Sequence, residues 1–129
     1  MIKGSELRTG NRVWESSLVN PTPDDFAEIV IASVNDIDKV VHDEQDNIYS
    51  YDYIYPIPLT PEWLELCGFN EGVLYLNPMM TSIRGANKNA EVRYCDAHGN
   101  SVSRYYQYLH QLQNLYFTLT DEELEIKLP

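Results

Sequence analysis

The sequence predicts an α+β fold: a small antiparallel, SH3-like barrel lobe over residues 1–59, then a helix, a short antiparallel sheet and a closing helix over residues 60–129. Three observations carry that expectation. Short β-branched or aromatic runs alternate with Asn/Asp/Gly/Pro turns as far as Tyr55. Helix-start chemistry appears abruptly at Thr60-Pro61. Near the C-terminus, apolar residues recur at helical spacing.

In order along the chain, Gly10-Asn11 can take positive φ just before a first strand at Arg12-Val13-Trp14. "SLVNPTPDD" reads as a loop, because Pro21 and Pro23 interrupt both helix and central strand. Ala27 to Val34 is a β-branched strand ended by the turn "NDID". A hairpin follows: Lys39 to His42, a polar turn from Asp43 to Asn47, and a strand carrying Tyr49, Tyr51, Tyr53 and Tyr55 on alternate positions. Period-two alternation puts these rings on one face, pointing inward, with the central Tyr51 and Tyr53 the most enclosed.

Around Thr60 the chemistry changes. Thr60 is a good N-cap, Pro61 suits the first helical position, and Leu59 can staple onto Leu64. Gly68 fits a left-handed C′ position, with Phe69 folding back towards Leu64. "GVLYLNPMM" reads as a strand stopped at Asn77-Pro78, and "RGANKNA" as a loop. Ala90 to Cys95, the turn "DAHGN" and Val102 onward form a second hairpin. Tyr105, Tyr108, Leu109, Leu112, Leu115, Tyr116 and Leu119 mark the buried stripe of the closing helix. Thr120 with Glu123 has the capping-box pattern, so one further helical turn is expected before a strand-like tail.

Composition limits the function classes. Twenty acidic residues against nine basic ones give a formal charge of −11, spread along the chain: eleven acids and four bases fall in residues 1–60, nine and five in 61–129. Such a surface repels phosphate backbones and anionic lipid, so direct nucleic-acid and membrane partners are not expected. The opening "MIKGSELRTGN" lacks the apolar stretch of a secretory leader, and no run approaches the roughly 20 apolar residues of a membrane span. Two cysteines, Cys67 and Cys95, make no disulfide framework, which points to a reducing cytoplasm.

Three segments, "SELRTGNRV", "PIPLTPEWLELCGF" and "YLHQLQNLYFTLTDEELEI", covering about a third of the chain, resemble short uncharacterised proteins of gut bacteria and their prophages or mobile elements. The resemblance implies an accessory, element-borne protein and brings no catalytic residue with it.

No catalytic role is filled by a motif. There is no G-x-S-x-G elbow and no glycine-rich phosphate loop, and neither "NDID" nor "DEQDN" has the glycine and terminal glutamate of a calcium loop. Cys95 and His98 are spaced C-x-x-H, and Cys67, His42 and His110 could complete four ligands, but zinc sites usually present two close pairs and only one exists. No cofactor, metal or enzyme activity is therefore expected. A neutral row on the closing helix, Tyr106, His110, Gln113 and Phe117, lies about 100–160° from the Leu112 stripe and suits contact with a partner and packing within the chain equally. A separate candidate surface is the outer rings of the tyrosine strand, Tyr49 and Tyr55. The leading expectation is a non-enzymatic adaptor acting by protein–protein contact or self-association. The alternative is an acidic DNA mimic that occupies the site of a DNA-binding protein.

Overall fold

A computed structural model describes residues 6–16, 18, 21–76, 81–85 and 90–128. The chain is α+β with antiparallel sheets and two α-helices, and it divides into two compact units, Met1–Ile57 and Pro58–Pro129. Among the described residues no helix is long and apolar enough to cross a membrane. The expected strand stop at Asn77-Pro78, most of the loop "RGANKNA" and part of "SLVNPTPDD" lie outside the described residues.

The first unit is one five-stranded antiparallel sheet of β1 (Arg12–Glu15), β2 (Ala27–Asn35), β3 (Val40–Asp43), β4 (Ile48–Ser50) and β5 (Ile54–Tyr55), in the order β4-β3-β2-β1-β5. Gly10, at φ +94°, turns the chain into β1, and its N–H donates to the Ile31 carbonyl at 2.7 Å. The buried Asn11 side chain closes that turn by accepting from the Arg8 N–H at 2.7 Å. Asn35 ends β2 as expected of "NDID": its Oδ1 accepts from the N–H groups of Ile37 and Asp38. Val13, Ile29, Ile31, Val41, Tyr51 and Ile54 form the core, with Leu7, Val34 and Tyr49 packed against it.

The expected continuous tyrosine strand is instead broken. After β4 the chain makes a 3₁₀ turn, Tyr51–Tyr53, in which the Ser50 hydroxyl accepts from the Asp52 N–H, and then resumes as β5. The turn brings Tyr51 and Ile54, three residues apart, to the same core, and lets β5 pair with β1 through Trp14–Tyr55 and Glu15–Ile54. Strict alternation therefore ends at Tyr51. Tyr51 is 6% exposed as a central core ring should be, but Tyr53 is 45% exposed, which corrects the expectation for it. The lobe accordingly has five strands rather than four.

In the second unit α1 (Pro61–Leu66) has both ends formed as its sequence dictates. The Thr60 hydroxyl accepts from the Trp63 N–H at 3.2 Å, and Pro61 opens the first turn. At the other end the N–H of Phe69 donates to Leu64 and that of Gly68 to Glu65, both at 3.0 Å, the paired bonds of a Schellman ending. Gly68 sits at φ +92°, so Gly68→Ala is expected to cost about 1–2 kcal/mol through backbone strain, measurable by thermal melting.

The sheet of this unit is β6 (Val73–Leu76), β7 (Thr81–Gly85) and β8 (Val92–Cys95), all antiparallel. β7 was not expected from sequence, and it takes in Arg84 and Gly85 from the stretch read as a loop. The second hairpin turn forms at Asp96, and the chain after it pairs with β8 only through isolated bridges, Cys95–Ser101 and Val92–Tyr106. The closing helix α2 runs from Leu109 to Thr120, so Tyr105 and Tyr108 precede it. The Gln111 side chain caps its start by accepting from the N–H groups of Gln107 and Tyr108. The further helical turn expected after Thr120 is absent. The Thr120 hydroxyl turns back to the Tyr116 carbonyl at 2.8 Å, and Asp121 adopts φ +60°. Thr120 thus closes one helix rather than opening another. The tail makes no strand; the Lys127 N–H donates to the Leu66 carbonyl at 2.8 Å.

Two hairpin turns rest on aspartates. Asp43 accepts from the N–H groups of Gln45 and Asn47, the Asn47 amide and the Tyr49 hydroxyl. Burial alone would raise its pKa, but these bonds outweigh burial and hold the carboxyl below its ordinary value. The N–H of Asn100, against some burial and helped by that of His98, likewise holds Asp96 down. Because both folded values lie below the unfolded one, the stabilisation is complete above about pH 4 and is lost as pH falls through the lower folded values. Amide resonances of Gln45, Asn47, His98 and Asn100 are expected to shift together below that pH, and those of the first turn to lose the response in Asp43→Asn.

Candidate functional site

The site is assembled in the first unit by three elements. Val13 is wholly buried, so strand alternation turns its neighbour Trp14 to the opposite side of the sheet, where register sets it directly against Tyr55. The connection from β1 to β2 returns through a 3₁₀ turn, Pro23–Asp25, locked by the Asp25 carboxylate, which accepts from the Thr22 N–H at 2.8 Å and hydroxyl at 3.0 Å. That turn delivers Phe26 onto Trp14, with ring centroids 4.8 Å apart and planes 11° from parallel. Phe26 meets Tyr55 at 5.0 Å and 58°. All three rings are half-buried. The carbonyl of the exposed Tyr53 accepts from the Ser16 N–H at 3.0 Å, which fixes the start of the β1–β2 connection beside the Tyr51–Tyr53 turn.

Carboxylates lie close in sequence to these rings. Asp24 and Asp25 immediately precede Phe26, Asp52 precedes Tyr53, and all three are exposed. Glu28 stands opposite Trp14 in register and pairs with Arg12 at 2.8 Å. A stacked aromatic surface in so acidic a chain is suited to apolar stems carrying cationic heads, through ring contact and cation–π attraction. It offers no nucleophile–base pair.

Of the residues singled out from sequence, Tyr55 belongs to this cluster. Tyr49 does not: its hydroxyl donates to Asp43 at 3.0 Å and its ring packs on the core. The helical row is largely enclosed. His110 is 1% and Gln113 2% exposed, Tyr106 and Phe117 are half-buried, and no continuous solvent-facing row remains. The buried side of α2 is Leu109, His110, Leu112 and Gln113, whereas Leu115 and Tyr116 are only half-buried and Leu119 is 36% exposed. Neutral imidazole and amide groups can be buried where charges cannot, so the uncharged row was as fit for the interior as for a partner.

Cys67 and Cys95 are buried, His98 is exposed in its turn, and His42 meets Asp46 at 3.1 Å. Among the described residues no three His, Cys, Asp or Glu side chains converge to hold a metal. The second unit has an open cavity of about 430 Å³ whose lining includes Leu64, Phe69, Gly85 and Ala90, with Glu65 and Glu71 as its charged groups. The chain matches no protein-family model, no curated protein and no solved structure.

Sequence reasoning missed Trp14 and Phe26 as partners. Their one signal was the Pro-Asp-Asp turn that sets Phe26 just ahead of a strand; the stack needs the fold of a connection eleven residues long between the two rings.

Proposed function

We propose that the protein is a non-enzymatic accessory or adaptor protein, of phage or mobile-element type, that holds an extended, basic segment of another protein on the Trp14–Phe26–Tyr55 face of an SH3-like first lobe. The observation that carries this reading is the three-ring stack, kept half-exposed on the side of the sheet away from the core, with the exposed Asp24 and Asp25 directly ahead of Phe26 in sequence. The SH3-like description is supported by four strands in a meander, a 3₁₀ turn, and a fifth strand that returns to pair with the first. Aromatic surfaces of such modules hold extended peptides because an extended chain lays its side chains across ring faces with little ordering cost. The charge of −11 adds long-range attraction for a basic segment and repels acidic competitors.

The test is a panel of ten-residue synthetic peptides, proline-containing and matched in apolar content, carrying either Lys/Arg or Asp/Glu. The basic set is expected to bind in the micromolar-to-millimolar range, weakening as salt rises. Trp14→Ala or Tyr55→Ala, in protein that still folds, is expected to weaken it about tenfold, the scale of one lost ring contact. Acidic peptides binding equally well would overturn the proposal. Charge-dependent binding unmoved by removal of the rings would favour the acidic-mimic alternative.

A further inference from the structure

The second unit carries a feature that the adaptor reading does not use. Register pairs Arg84 of β7 directly with Arg93 of β8, so two guanidinium groups share one side of the sheet, the side that also carries Ser82. Like charges directly opposed on neighbouring strands repel, and both side chains are half-buried, where solvent screens them less. With twenty carboxylates available to nine bases, a neutralising partner is the ordinary outcome, as for Arg12 with Glu28. Yet among the described residues no ion pair reaches Arg84 or Arg93. The carboxylate of Asp96, in the turn that follows β8, is engaged by the N–H groups of His98 and Asn100, both at 2.9 Å.

Both arginines are held in place by neutral groups. Arg84 Nε donates to the Ser82 hydroxyl at 3.0 Å, and its guanidinium lies beneath the hairpin turn, 3.8 Å from where a Cβ on Gly99 would stand. Arg93 donates from one terminal nitrogen to the Tyr105 hydroxyl at 3.1 Å, with its guanidinium 5.4 Å from that ring's centroid. Its Nε is buried and has no acceptor. Two guanidinium groups held on one side of the sheet, neither paired with a carboxylate among the described residues, are the donor chemistry an anion requires.

We propose that Arg84 and Arg93 together bind a phosphate monoester. Two guanidinium charges match the charge of such a group, between one and two negative units at neutral pH, and each fork can present paired N–H donors to its oxygens. The net charge of −11 selects against long polyanions, whose every phosphate feels that repulsion, and leaves a compact anion as the ligand the pair can hold.

The experiment follows the arginine Nε–H resonances of the full chain while inorganic phosphate is added at constant ionic strength. Saturable movement of the Arg84 and Arg93 signals is expected, with those of Arg8 and Arg12 unmoved. Arg84→Gln and Arg93→Gln are each expected to raise Kd about tenfold or more, the loss of one charge-assisted contact. Thermal melting of both variants confirms that each is folded, so that a lost phosphate response reads the site and not the fold. A free sugar phosphate and a phosphoserine peptide form two further arms. Tighter binding of the sugar phosphate assigns the site to a metabolite, and tighter binding of the peptide to a modified protein. No saturable movement in wild type up to tens of millimolar phosphate, or an equal response to acetate, would overturn the proposal.

Discussion

Replacing Tyr51 with alanine is expected to cost the first unit about 3–5 kcal/mol, the range for removing a large ring from a packed core. Tyr51 lies among Val13, Ile29, Ile31, Val41 and Ile54 and is 6% exposed, so truncation leaves a void that surrounding β-branched side chains cannot close by rotation. Burial, and then the bond its hydroxyl donates to Asp36 at 3.1 Å, push its pKa up, so the phenol stays protonated and donating at neutral pH. Tyr51→Phe removes only that bond, for about 0.5–1.5 kcal/mol. Tyr53→Ala, although two residues away in the same run, is expected to change stability by less than about 0.5 kcal/mol, as surface substitutions do. Denaturant titration of the three variants checks the order. A Tyr53→Ala loss as large as that of Tyr51→Ala would contradict the 3₁₀ turn.

The other large effect is expected on α2. Leu112 is wholly buried, and Leu112→Ala should cost about 2–5 kcal/mol, while Leu119→Ala, at a site 36% exposed, should cost less than about 1 kcal/mol. The contrast matters because spacing alone places both leucines on one stripe. Hydrogen exchange across α2 reads it directly: Leu112→Ala is expected to strip protection along the whole helix and Leu119→Ala only from its last turn. Equal effects would restore the stripe inferred from sequence.

These comparisons show where local chemistry suffices. Residues 59–69 were legible because each boundary is set by a neighbour: Thr60 bonds three residues ahead, and Gly68 and Phe69 bond back to Glu65 and Leu64. The turns at Asn35 and Asp43 were legible for the same reason. β7 was not, since Thr-Ser-Ile-Arg-Gly has no sustained alternation of its own and becomes a strand by lying between β6 and β8. The tyrosine run misled because a Ser-capped 3₁₀ turn can interrupt period two without a Gly or Pro to mark it. Pairings such as Trp14 with Phe26, or Arg84 with Arg93, depend on a connection and on a register, neither of which composition specifies. The candidate site was visible only at Tyr55.

If the Trp14–Phe26–Tyr55 face receives a basic segment, the two tryptophans of the chain report it. The decisive measurement is the indole N–H resonances of Trp14 and Trp63 during titration with a basic, proline-containing peptide. Trp14 lies in the aromatic stack of the first unit, and Trp63 lies on α1 in the second. Saturable movement of the Trp14 signal, with Trp63 unchanged and the acidic peptide without effect, is the expected result. A peptide that moves Trp63 and leaves Trp14 still would contradict the account.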